Sequence, residues 1–251
     1  MELNKIYNED CLQTMSKIPD NFVDLIITDP PYNISKENDN RDISKANSPI
    51  MRRGSLLNYD FGKWDNMKRS DFLRFTNKWL KEGCRILKDG GTFISFFNKE
   101  DISYLGWVAK RYGIRTRTIF TWHKTNPVPS FRKVNYLSST EFIWIGSKGN
   151  KAWTFNFLMQ KEMHNFYETS NASAYSETKH PTEKPIELID YLVNIHSNEN
   201  NVIYDCFVGS GTTIVSCLKY KRKYIGSEIS KEYCDLAEKR ILPYKMQTIL
   251  F

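Results

Sequence analysis

The apolar residues of this chain form short runs, separated by longer stretches with a helical period. Several runs are apolar almost throughout, which is typical of strands buried on both faces of a parallel sheet. One intervening helix is predicted to begin with Ser70 as its cap and to end at Gly90-Gly91, and another to begin at Pro185. This alternation predicts an α/β fold with a doubly wound, mainly parallel sheet. The predicted strands are residues 22–28, 92–97, 116–122, 141–145, 202–206 and 224–226.

Two stretches, the polar residues 33–63 and the residues of mixed character 155–179, follow neither the strand period nor the helix period. Long irregular segments inside a compact domain are usually functional or disordered. The 251 residues, 40% of them hydrophobic, suffice for one sizeable core. We therefore expect a single domain over 1–251, with 33–63 as a mobile loop.

Charge is placed unevenly along the chain, whose formal net charge is +7. Residues 102–140 carry seven Lys or Arg and no Asp or Glu. A stretch of this length repels itself unless it meets a polyanion, so it favours a nucleic acid over a merely solvated face. The predicted phosphate contacts flank the stiff Asn126-Pro127-Val128-Pro129 segment, and they are Lys124, Arg132 and Lys133.

Other classes of protein find no support in the sequence. No run approaches the roughly 20 apolar residues of a membrane span, and the first residues do not resemble a signal peptide, so we expect a cytoplasmic protein. The five cysteines are scattered and form no C-x-x-C pair. This pattern indicates buried, reduced thiols and neither a disulfide framework nor a metal site.

A strand, a glycine turn and a helix start follow one another between Val202 and Thr213, with the turn at Gly209-Ser210-Gly211. Such a turn lets a ligand approach the backbone and the helix N–H groups. Glu228 lies 17 residues after Gly211, where an acid can accept hydrogen bonds from ribose hydroxyls. Ile214 replaces the third glycine of the dinucleotide pattern, so a nucleoside without a pyrophosphate fits better than NAD.

A second rigid turn, Asp29-Pro30-Pro31-Tyr32, follows the strand at 22–28 directly. The carboxyl ends of strands bind ligands in open α/β sheets, and the two prolines fix the backbone. Asp29 and the Pro30 carbonyl can accept the two hydrogens of an aromatic amine, and Tyr32 can stack on the base. A flipped-out base held in this way is suited to methyl transfer to its amino group.

These two turns together resemble motifs IV and I of the amino-methyltransferases of DNA, in the order of the permuted beta class. The segments Asp10-Cys11 and Lys179-His180-Pro181-Thr182-Glu183-Lys184-Pro185 also resemble family motifs. The resemblance implies a seven-stranded Rossmann-like methyltransferase fold that uses S-adenosylmethionine, releases S-adenosylhomocysteine and needs no metal. The implied catalytic residues are Asp29, Pro30, Pro31 and Tyr32, and the implied cofactor residues are Asp10, Cys11, Asp29, Thr182, Lys184, Asp205, Phe207, Gly209, Ser210, Gly211, Thr212, Thr213 and Glu228.

The resemblance also implies that residues 155–179 form a target-recognition region, that the 33–63 loop lies near the active site and that DNA is the partner. A separately acting restriction endonuclease and a homodimer are further partners that it suggests. N6 of adenine is the favoured acceptor, because Ser in place of Asp29 is the more usual sign of N4-cytosine chemistry. An N4-cytosine enzyme, an RNA methyltransferase and a non-catalytic nucleic-acid-binding module remain alternatives.

Overall fold

The computed structural model describes residues 1–33, 67–130, 133–171 and 183–249. Within these ranges the chain forms one eight-stranded sheet in the order β1-β8-β7-β2-β3-β5-β4-β6. All neighbouring strands run parallel except β5, which is antiparallel to β3 and β4. The strands are β1 (Lys5–Tyr7), β2 (Val23–Thr28), β3 (Leu87–Phe97), β4 (Ile114–Lys124), β5 (Thr140–Lys148), β6 (Phe166–Thr169), β7 (Val202–Asp205) and β8 (Lys223–Ser227).

Helices cover both faces of the sheet and create a separate apolar core on each side. The central strand β2 illustrates the cause: Ile26 packs into one core and Leu25 and Ile27 into the other, as alternating side chains must. No helix among the described residues is long and apolar enough to cross a membrane. The helices are α1 (Cys11–Ser16), α2 (Arg69–Ile86) and α3 (Ile102–Lys110) on one face, and α4 (Ile186–His196), α5 (Thr212–Lys219) and α6 (Lys231–Ile249) on the other.

The α/β class and the mainly parallel sheet are confirmed, but the expected seven strands are joined by an eighth, β6. This strand pairs with β4 at the edge of the sheet, inside the stretch 155–179 that shows no strand period. An edge strand of only four residues, Phe-Tyr-Glu-Thr, is too short for its alternation to stand out in a sequence.

The expected bounds of α2 were wrong at both ends. Lys68 precedes the helix without a side-chain cap, so Ser70 lies inside the first turn. The helix ends at Ile86, and Gly90 and Gly91 belong to β3. A Cβ on Gly91 would lie only 2.9 Å from the Asp24 carbonyl oxygen, so this glycine permits close approach of two strands.

Candidate active site

The carboxyl ends of four neighbouring strands meet at one cavity of about 250 Å³. Asp10 follows β1, Glu228 follows β8, Asp205 ends β7 and Asp29 follows β2. The strand order thus unites segments that are distant in sequence. The predicted residues that line the cavity are Asp10, Cys11, Asp29, Pro31, Lys184, Asp205, Phe207, Gly209, Ser210, Thr212, Thr213 and Glu228.

The glycine turn connects β7 to α5 through two residues with positive φ, Gly209 at 52° and Gly211 at 86°. Gly211 is not part of the cavity lining, because it packs against α6. A Cβ added to Gly211 would lie 3.1 Å from the Cβ of Ala237. Of the two glycines, only Gly209 therefore faces the ligand space, and Gly211 serves the turn and the close packing of helices.

Glu228 ties the glycine turn to the start of α6. Its Oε2 accepts a hydrogen bond from the Gly209 N–H at 2.9 Å, and its Oε1 accepts one from the Ser230 N–H at 2.8 Å. Burial raises the pKa of Glu228, although these backbone bonds act in the opposite direction. Since each carboxylate oxygen can accept a further bond, Glu228 can still receive a ribose hydroxyl.

Asp205 shapes the same turn from inside the sheet. Its Oδ1 accepts hydrogen bonds from the Thr28 hydroxyl at 3.0 Å and the Phe207 N–H at 3.1 Å. Burial raises the pKa of Asp205 to about 6, against the effect of a hydrogen bond from Thr213. Asp205 therefore links β2 to β7 directly below the two turns, and it positions Phe207.

Asp10 and Phe207, which the resemblance assigns to the cofactor, both line the cavity. Asp10 caps α1 through a bond of 2.7 Å from the Leu12 N–H to its Oδ1. The Phe207 ring is held edge-to-face by Trp79, with the ring centroids 6.0 Å apart. Both side chains are fixed by the fold before any ligand arrives, which lowers the entropic cost of binding. Neighbouring Cys11 is a buried thiol whose pKa is raised by burial, as are the other four cysteines.

The Asp29-Pro30-Pro31-Tyr32 turn is braced by its own side chains. The Tyr32 hydroxyl donates to Asp29 Oδ1 at 2.6 Å, and the Asn98 amide donates to the Tyr32 carbonyl at 3.2 Å. Pro30 is buried, and neither Pro30 nor Tyr32 belongs to the lining of the cavity. Asp29 and Pro31 are the members of this turn that face the ligand space.

A chain of alternating charges runs from Asp29 into the β5 end of the sheet. Lys184 Nζ lies 2.5 Å from Asp29 Oδ2 and 3.5 Å from Glu141 Oε2, and Lys124 Nζ lies 2.6 Å from Glu141 Oε1. Burial would lower the pKa of Lys184, but Asp29 and Glu141 outweigh it and raise that pKa. Lys124 is therefore engaged inside the protein, and its predicted role as a phosphate contact does not fit this position.

The acid-free stretch does not form one basic surface either. Arg115 lies near the amino end of β4 and Lys124 at its carboxyl end. The two residues are nine positions apart along the strand, or roughly 30 Å. Lys133 is exposed in the loop that follows β4, whereas Arg132 and Thr182 lie outside the described residues.

Sequence reasoning missed Glu141 and Arg240. Arg240 of α6 donates to the Ser210 carbonyl at 3.1 Å, to the Thr212 hydroxyl at 3.0 Å and to Glu183 Oε1 at 2.8 Å. It thereby joins the glycine turn to the segment before α4. No local pattern marks either residue, because their partners are 28 to 57 positions away for Arg240 and 17 and 43 positions away for Glu141.

The charge of the cavity lining fits a cationic nucleoside. Six carboxylates and one lysine, Lys184, line it, which suits a sulfonium ion and opposes a pyrophosphate. Among the described residues no group of three or more His, Cys, Asp or Glu side chains could hold a metal ion. An acid-lined cavity at the carboxyl ends of this sheet, closed by a glycine turn, is the site expected from the resemblance to S-adenosylmethionine-dependent methyltransferases.

Comparison with known proteins gives the family. The family model for DNA methylase matches residues 23–239, so the chain belongs to the DNA methylase family. It is 30% identical over 247 residues to the Type II methyltransferase M2.DpnII of Streptococcus pneumoniae, covering 94% of this chain and 88% of that protein.

Two solved structures share the fold. The complex of M1.HpyAVI with S-adenosylmethionine superimposes with a TM-score of 0.71 at 26% identity, over 95% of this chain and 98% of that one. The cytosine-N4-specific PvuII DNA methyltransferase gives a TM-score of 0.73 at 18% identity, over 96% and 87%. The predicted DNA methyltransferase activity and its cofactor S-adenosylmethionine are thus confirmed, while the roles of individual site residues stay predictions.

Proposed function

We propose that the protein methylates the N6 amino group of an adenine that has been flipped out of DNA. The observation that carries this proposal is the carboxylate of Asp29, which faces the cofactor cavity from a turn fixed by two prolines. Bound S-adenosylmethionine supplies a methyl group activated by a positively charged sulfur.

The residues of the turn have separate roles in the proposed reaction. Asp29 accepts one amino hydrogen and the Pro30 carbonyl the other, so the nitrogen lone pair turns toward the methyl carbon. Tyr32 stacks on the base, and its hydroxyl bond to Asp29 fixes the orientation of its ring. The N–C bond forms from the nitrogen lone pair as the C–S bond breaks, the bonding electrons stay on sulfur, and nitrogen releases one proton.

Adenine is preferred to cytosine because the acceptor is a carboxylate, whereas Ser at this position is the more usual sign of N4-cytosine chemistry. The fold itself does not choose, since the cytosine-N4-specific PvuII enzyme shares it. Purified protein is incubated with labelled cofactor and with DNA or RNA, and the labelled nucleoside is identified by mass spectrometry. We expect N6-methyladenine from DNA. N4-methylcytosine, or label in RNA alone, would contradict the proposal.

We further propose that residues 155–179 read the target sequence. Support comes from residues 155–171, which include the edge strand β6 and expose large apolar side chains beyond what a solvated edge needs. The exposed side chains are Phe155, Phe157, Leu158, Met159 and Phe166.

Residues 34–66 lie outside the described part of the chain, but the residues on either side of them meet beside the cavity. There Asn33 Oδ1 accepts a hydrogen bond of 2.7 Å from the Met67 N–H.

The partner of the reaction is DNA, and we propose that a separate restriction endonuclease recognises the same site. The similarity to a Type II methyltransferase supports this pairing. Genomic DNA from a host that expresses the protein can be sequenced with a method that reports modified adenines, which gives the target site. An endonuclease that cleaves only unmodified copies of this site would be the expected companion. A homodimer stays a prediction, to be measured by sedimentation.

A further inference from the structure

Lys184 occupies the place that the proposed function assigns to an amine. Its ammonium is 2.5 Å from Asp29 Oδ2, 5.7 Å from the centre of the Tyr32 ring and 5.2 Å from that of Phe96. A flipped base needs the same carboxylate and the same aromatic face. In this arrangement the lysine and the substrate compete for Asp29.

A cation fixed beside Asp29 would also oppose the reaction. The amino nitrogen gains positive charge as it forms its new bond, and Lys184 is only 8% exposed, so repulsion there is weakly screened. Productive binding of the base therefore requires the ammonium to move away from Asp29. A carboxylate within reach of the ammonium would keep its buried charge paired during this move.

Glu141 provides that partner. Its Oε2 lies 3.5 Å from Lys184 Nζ, close enough for an ion pair but longer than an ordinary hydrogen bond. Among the described residues this buried oxygen has no hydrogen-bond partner. A small rotation of the lysine side chain would close the gap and satisfy the oxygen.

The other half of the Glu141 carboxylate is held in place. Lys124 pairs with Oε1 at 2.6 Å, and its ammonium rests 5.1 Å from the centre of the Trp122 ring. Burial alone would raise the pKa of Glu141, but Lys184 and Lys124 outweigh it and hold that pKa below its usual value. Glu141 thus stays ionised and ready to accept the ammonium.

We propose that Lys184 exchanges its ion pair with Asp29 for one with Glu141 when the target base enters, and that Glu141 is the positioning residue that makes this exchange possible. The inference rests on the proposed role of Asp29 as the acceptor of an amino hydrogen. It assigns a role to a residue at the start of β5 that does not line the cavity.

The test compares Glu141→Gln, which keeps the shape but removes the charge, with Glu187→Gln, an exposed acid that follows Lys184 outside the cavity. At saturating cofactor we expect Glu141→Gln to lower kcat by about tenfold or more, with cofactor Kd within about twofold of the wild type. Glu187→Gln should match the wild type. A duplex with 2-aminopurine at the target position should show less base-flipping fluorescence with Glu141→Gln.

A double-mutant cycle separates positioning from a merely structural effect. If Glu141 acts through Lys184, then Glu141→Gln should cause no further loss of kcat in a Lys184→Met background. Equal loss with and without Lys184, or kcat of Glu141→Gln equal to that of Glu187→Gln, would overturn the exchange. Should Glu141→Gln fold poorly, Glu141→Asp keeps the charge but withdraws the carboxylate, and unchanged kcat in it would overturn the exchange as well.

The same measurements separate the proposed ion-pair exchange from the proposed adenine specificity. If wild-type protein yields N4-methylcytosine, the proposed adenine specificity fails, yet the cycle measured on cytosine still decides the exchange. If it yields N6-methyladenine and the cycle is additive, the exchange fails and the proposed function stands. Absence of any methyl transfer to nucleic acid overturns both.

Discussion

Replacement of Asp29 by Asn tests the division of the cavity into a transfer subsite and a cofactor subsite. The change keeps the size of the side chain and one oxygen. It removes the negative charge that accepts from the Tyr32 hydroxyl and pairs with Lys184. The two groups proposed to hold the nucleoside are fixed by other residues, Glu228 by Gly209 and Ser230 and Phe207 by Asp205 and Trp79.

The expected size of the effect follows from these contacts. Loss of one fixed acceptor at a group that develops charge costs about 3–4 kcal/mol in the transition state, or roughly 100- to 1000-fold in kcat. Removing the only partner of a buried cation lowers the free energy of unfolding by about 3–5 kcal/mol. Because Lys184 still has Glu141 at 3.5 Å, we expect Asp29→Asn to lower the free energy of unfolding by less than this.

The assay measures single-turnover methyl transfer to DNA, cofactor Kd by calorimetry and the free energy of unfolding in denaturant. We expect transfer to fall by at least about 100-fold while cofactor Kd changes by less than about threefold. Asp20→Asn is the matched control, because Asp20 precedes β2 at the opposite end and is 69% exposed in its pair with Arg85. Transfer within tenfold of the wild type, or an equal loss of cofactor affinity, would refute the reasoning.

Three further predictions concern other parts of the molecule. Glu228→Gln removes the negative charge of the side chain that accepts a hydrogen bond from the Gly209 N–H. Cofactor Kd should therefore rise about 10- to 100-fold, with kcat at saturating cofactor nearly unchanged. An unaltered Kd in calorimetry would contradict the role of Glu228 in cofactor binding. Burial lowers the pKa of His196 to about 4. As the pH falls, the unfolded chain therefore protonates this histidine before the folded protein does. Stability is therefore full above pH 6.5 and lost as pH falls toward 4, by about 3 kcal/mol. Denaturant titrations should show less of this loss in His196→Gln, and an identical pH profile would exclude the histidine. Lys133→Ala should weaken DNA binding equally for all sequences and reduce the salt slope by about 1, whereas Lys151→Ala serves as an exposed control.

Local patterns were sufficient to predict most of the fold. Apolar runs located the buried strands, and the turns at Asp29 and Gly209 were correctly placed at strand ends, because backbone chemistry and burial act on neighbouring residues. The pattern failed at β6 and at the ends of α2. There the outcome depends on edge pairing with β4 and on the close approach of Gly91 to another strand.

The sequence by itself determined which residues could bind a nucleoside and accept an amine, since these capacities belong to side chains and tight turns. Only the tertiary structure decided how they combine. The strand order makes β7 and β2 neighbours, and so brings the two turns to one cavity. It also pairs Lys124 with Glu141 and sets Lys184 between Glu141 and Asp29, which makes an expected DNA contact part of a charge network within the protein. Ion pairs between residues so far apart in the chain depend on strand order and burial, which no local period encodes.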